Sequence, residues 1–132
     1  MNTRFLMFSS ALLLGAVGIA ASFLPQEILT GLGIAPTGAL PLLVQILGAL
    51  LLGFAMLNWL AKDTVIGGVY GRPVTVANLA HFAIGALALL KGLVGGATPT
   101  LWVASILYTG FAVSFGLVLL THPSGKSGAP GG

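Results

Sequence analysis

From Phe5 to Leu24 the chain runs 20 residues without a charged side chain. Pro41–Leu60 and Leu101–Leu120 do the same, and Val74–Val94 is interrupted only by Lys91. At about 1.5 Å per residue, roughly 20 helical residues cross a ~30 Å hydrocarbon core. Inside lipid a backbone must pair its polar groups within its own segment, and a helix does so. The four runs therefore predict an all-α integral membrane protein. Composition agrees, with 57% hydrophobic and 5% charged residues, against about 25% charged in a soluble domain. So little charge cannot keep a folded surface hydrated, so the bilayer has to be the solvent.

Local signals place the boundaries. Pro25 stops the first run, and Pro41 and Pro73 suit the first turns of the next two helices, where a missing N–H is harmless. Thr98-Pro99 reads as an N-cap followed by a first helical residue. Gln26–Leu40 reads as an apolar loop lying in the interface, with Glu27 as its one charge. Lys62–Arg72, with Gly67, Gly68 and Gly71, reads as a turn. The expected domain is residues 1–122, with spans 5–24, 41–60, 74–94 and 101–120. Ser, Gly and Pro dominate 123–132, which reads as a disordered tail. A signal peptide is the rival reading of the first run. That run exceeds the ~7–15 residues of an h-region, which favours a retained helix.

Charge sets an expected topology. Four spans put both termini and the middle turn on one side. That side holds Arg4, Lys62, Arg72 and Lys126, and the other holds Lys91. The bias predicts an antiparallel four-helix bundle with both termini cytoplasmic. Small residues recur at helical spacing and suggest where helices pack closely. They are Ala11, Gly15, Gly18 and Ser22 in the first span, and Ala49 and Gly53 in the second. Gly85, Ala88 and Gly92 follow in the third, and Ser105, Thr109, Ala112 and Gly116 in the fourth.

The same inventory excludes several chemistries. There is no cysteine, hence no disulfide, thiol or Cys-ligated metal site. No carboxylate lies inside a span, so the membrane-embedded acid of small proton-coupled multidrug exporters has no counterpart. The net charge of +3 comes without a basic run, which argues against nucleic acid as a partner. No metal motif and no catalytic residue is identified.

His81 is the sharpest candidate for chemistry. A neutral imidazole inside a span can ligate haem iron, bind a quinone carbonyl or relay protons. Its structural reading is a hydrogen bond to a neighbouring helix, and that reading is favoured. Asn58, Asn78 and His81 fall at similar depth and can form one interhelical polar group. His122 lies at the same membrane face but too shallow to pair with His81 across a haem.

Length, span spacing, Arg4 before a Gly-rich first helix, and the segment Gly53–Trp59 (GFAMLNW) together give a pattern. It resembles the DoxX-like group of small bacterial four-helix membrane proteins. The resemblance implies a multi-pass protein of the bacterial inner membrane, associated with quinone-linked respiratory complexes. The leading expectation is a non-catalytic subunit or accessory partner of a larger membrane complex, without a cofactor, associating with other membrane subunits or with itself. The alternatives are a quinone- or haem-associated redox protein using His81, and a small oligomeric transporter or channel.

Overall fold

The computed structural model describes residues 2–64, 66 and 68–121. Among these residues it is all helical, with α1 (Thr3–Phe23), α2 (Pro25–Gly31), α3 (Leu40–Ala61), α4 (Arg72–Gly95) and α5 (Pro99–Thr121). All but α2 are long and apolar enough to cross a membrane. Their bounds lie within a few residues of those expected. His122 and the expected tail lie outside the described residues.

The chain divides into two compact units, one being Met7–Lys62 and the other the residues before Met7 with those after Lys62. In the first unit α1 and α3 run antiparallel. Steps of three or four residues along α1 meet matching steps along α3. A Cβ on Gly15 would lie 3.6 Å from the Ala55 Cβ, and one on Gly18 would lie 2.9 Å from the Leu52 nitrogen. A Cβ on Gly48 would lie 2.6 Å from the Ser22 nitrogen. Real Cβ atoms do not approach backbone so closely, so Gly18 and Gly48 are what lets the two backbones touch. Toward the other end, the rings of Phe8 and Trp59 lie 5.6 Å apart.

The segment expected to be a loop contains α2. Pro25 occupies its first turn, where the lost N–H is harmless, and Glu27 adds a negative charge beside the N-terminal dipole. Its end is a Schellman motif. Gly33 takes φ +74°, and the N–H groups of Ile34 and Gly33 reach the carbonyls of Leu29 (2.9 Å) and Thr30 (2.9 Å). Sequence periodicity cannot reveal a helix of seven residues, whereas its two ends explain it.

In the second unit α4 and α5 form an antiparallel hairpin. A Cβ on Gly85 would fall 2.7 Å from the Tyr108 ring, and one on Gly92 would lie 4.0 Å from Leu101. The Gly116 position faces Leu79 at 3.7 Å. The Thr98 hydroxyl accepts the Leu101 N–H at 3.3 Å, so Thr98 caps α5 as its pairing with Pro99 suggested. Before α4, the backbone turns through Gly68, whose carbonyl accepts the N–H groups of Gly71 (3.1 Å) and Arg72 (2.9 Å). Asp63 at the start of this turn pairs with Arg4 at 2.9 Å, both well exposed.

The outward surface has the character of a lipid-facing one. Ile84 and Leu87 of α4 and Leu120 of α5 are each about 70% or more exposed, as are Phe23 and Leu60 in the first unit. The protein is a multi-pass helical membrane protein.

Candidate functional site

Polar side chains inside the spans are the natural place to look, because lipid penalises them unless they are paired or functional. The fully buried ones are Ser10, Asn58, Thr75 and Asn78, with Ser105 nearly so. His81 is half-buried.

In the first unit the Asn58 amide donates to the Ser10 hydroxyl at 2.9 Å. That hydroxyl in turn donates to the Met7 carbonyl at 2.9 Å, so amide, hydroxyl and backbone form a short chain of hydrogen bonds. Near the opposite end, Gln45 reaches the Ser22 carbonyl at 3.4 Å. Lys62, at the end of α3, lies 4.5 Å above the Trp59 ring and donates to the Trp59 carbonyl at 3.2 Å.

The second unit holds the denser arrangement. Three polar residues of α4 lie at steps of three, Thr75, Asn78 and His81, and each has a partner in its own unit. The Thr75 hydroxyl donates to the Ile66 carbonyl in the preceding turn. Ile66 is itself fully buried, so this contact pins the turn onto the first turns of α4. The Asn78 amide donates to the Val74 carbonyl one helical turn back, at 2.9 Å. The His81 Nε2 lies 3.4 Å from the Tyr108 hydroxyl across the hairpin. With Nε2 unprotonated, the tyrosine is the donor; the other tautomer reverses the roles.

Aromatic rings surround this pair. Phe82 is fully buried and meets Tyr108 edge-on at 5.1 Å. It stacks on Phe111 at 4.8 Å and on Phe115 at 5.8 Å. His81 and Tyr108 are themselves tilted against each other at 5.6 Å. Gly85 permits the arrangement, because any side chain there would occupy the Tyr108 ring position.

Chemically, the His81–Tyr108 pair can share a proton or present a donor and an acceptor to a carbonyl. Among the described residues no three His, Asp or Glu side chains gather as metal ligands.

The structure thus places most of the sequence candidates beside a particular neighbour, and three of those neighbours were not singled out as partners. They are Ser10 for Asn58, Tyr108 for His81 and Gly48 for Gly18. At Gly53 an added Cβ would meet nothing within 4 Å, so in α3 the close approach belongs to Gly48. A signal for Tyr108 did exist. The short turn 96–98 sets an antiparallel register that puts Tyr108 opposite Gly85, one helical turn beyond His81. No comparable signal singles out Gly48 from Gly53, since both are small residues in an apolar helix.

No family model matches the chain, and neither does any curated protein or solved structure.

Proposed function

We propose that the protein is a non-catalytic subunit or accessory partner of a larger complex in the bacterial inner membrane. One observation carries this reading: the amide, threonine and imidazole side chains Asn58, Thr75, Asn78 and His81 are each engaged within their own unit. Asn58 is held by Ser10, Thr75 by Ile66, Asn78 by Val74 and His81 by Tyr108. A transport path or catalytic centre needs polar groups directed at a substrate, whereas here they brace helices. The broad apolar exterior then serves lipid and neighbouring membrane subunits. The cation bias of Arg4, Lys62, Arg72 and Lys126 over Lys91 supports an antiparallel four-helix bundle with both termini in the cytoplasm. The DoxX-like pattern supports the same role beside quinone-linked respiratory enzymes.

The second reading rests on the His81–Tyr108 pair. A half-buried imidazole and phenol 3.4 Å apart, beside the Phe82 ring, offer a donor, an acceptor and an aromatic face to a quinone headgroup.

One preparation tests both. The tagged protein is extracted from its native membranes in mild detergent, and its elution volume, co-purifying chains and absorbance spectrum are measured. Stoichiometric membrane partners and a colourless spectrum are expected. A lone chain eluting without partners would overturn the accessory role. A haem band or bound quinone lost in His81→Leu would establish the second reading in its place.

A further inference from the structure

The connection between α1 and α3 stays close to the hydrocarbon edge throughout. At about 1.5 Å per residue, the 21 residues of α1 cover about 31 Å, the thickness of a ~30 Å hydrocarbon core. Leu24 alone separates α1 from α2. Successive Cα atoms are about 3.8 Å apart, so α2 starts within about 8 Å of the end of α1, at the level of the headgroups. Leu40 then opens α3, whose 22 residues span the core again from the same edge.

Two surfaces of this connection differ in chemistry. Pro25 and Leu29, four residues apart, bury one side of α2 in its own unit. Gln26, Glu27 and Thr30 fall on the other side and are exposed. The Thr30 hydroxyl donates to the Gln26 carbonyl at 2.9 Å. The free side of α2 is therefore polar and carries the charge of Glu27.

The turn that follows is the opposite. Leu32 is 51% and Ile34 44% exposed. The backbone that displays them has already paired its donors. The Leu32 N–H reaches the Ile28 and Leu29 carbonyls at 3.0 and 3.1 Å, and the Schellman bonds hold Gly33 and Ile34. Three consecutive N–H groups are thus satisfied without water, the condition for backbone at the edge of hydrocarbon. On the α1 side of the same connection, Phe23 and Leu24 are exposed too, so the apolar surface of turn 32–34 lies at the level where the lipid-facing surface of α1 ends.

We infer that turn 32–34 docks on the bilayer itself. Leu32 and Ile34 enter the boundary between acyl chains and headgroups, and Gln26, Glu27 and Thr30 face water. Lipid is the occupant because the two spanning helices hold this turn at the headgroup layer, where an exposed Leu and Ile gain by entering the acyl boundary and Glu27 gains by leaving it.

The chain has no cysteine, so single cysteines can carry a nitroxide without further changes. The test uses the full chain in phospholipid vesicles, with spin labels at Gln26→Cys, Glu27→Cys, Leu32→Cys, Ile34→Cys and, as a reference within α3, at the exposed Leu47→Cys. Accessibility to oxygen, which concentrates in lipid, is compared with accessibility to a water-soluble nickel chelate. Labels at Leu32 and Ile34 should favour oxygen, at a shallower depth than the label at Leu47. Labels at Gln26 and Glu27 should reverse that ratio and favour nickel. Nickel-dominated access at Leu32 and Ile34, equal to that at Glu27, would overturn the inference, since the turn would then stand in water. Labels at Leu32 and Ile34 that are immobile and shielded from both reagents would overturn it as well, because a second copy would then cover the turn.

Discussion

The two hairpins solve the same problem with opposite materials. In α1–α3 the helices meet backbone to backbone, with Gly18 and Gly48 leaving no room for a side chain. In α4–α5 they meet through side chains, with Phe82 at the centre of a stack that includes Tyr108, Phe111 and Phe115. In water, burial of apolar surface would reward the second arrangement far more. In lipid that reward largely vanishes, because the tails are as apolar as the side chains they replace. Close packing and interhelical hydrogen bonds remain, and both hairpins supply them. The glycine contact depends on the absence of atoms, while the aromatic contact depends on their presence. The first should therefore fail when atoms are added and the second when they are removed.

The largest effect is expected at Gly48. Gly48→Leu places a side chain against the Ser22 backbone, which cannot swing away. It should cost about 3 kcal/mol, the upper end of ordinary overpacking, and lower the thermal midpoint in detergent by many degrees. Gly53→Leu, in open space on the same helix, should be nearly silent. Equal midpoints for the two variants would refute the backbone contact.

Phe82→Ala comes next. A buried Phe→Ala change in a soluble core costs about 3–5 kcal/mol. Here the transfer part is reduced and the cavity part remains, so about 2 kcal/mol is expected. Phe82→Leu, which keeps most of the volume, should recover more than half of the loss in the same thermal measurement. If Phe82→Ala retains the wild-type midpoint, the aromatic stack is not what holds this hairpin.

The smallest effect belongs to the polar links. Asn58→Leu removes the donor to Ser10. In a double-mutant cycle with Ser10→Ala the coupling should be about 0.6 kcal/mol, and no more than about 1.7, as for interhelical hydrogen bonds in membranes. A coupling of zero would mean that the pair fills space without joining the helices.

The sequence by itself determined the four spans, because length and lack of charge are properties of each segment alone. Proline positions and the Thr98 cap are local in the same sense, and so were legible. Small-residue spacing likewise marked Gly15 and Gly18 on one face of the first helix. What it could not decide was who faces whom. Gly48 and Gly53 are both small, and only the rotation of α3 against α1 makes one a contact and leaves the other open. Asn58 meets Ser10, and His81 meets Tyr108, through antiparallel registers that are set by how two helices interlock along their whole length. The α2 helix and its Schellman end depended on a backbone at positive φ, which glycine permits but does not announce. Segment identity is written residue by residue, whereas pairing is a property of two surfaces brought together, and only the tertiary structure decided it.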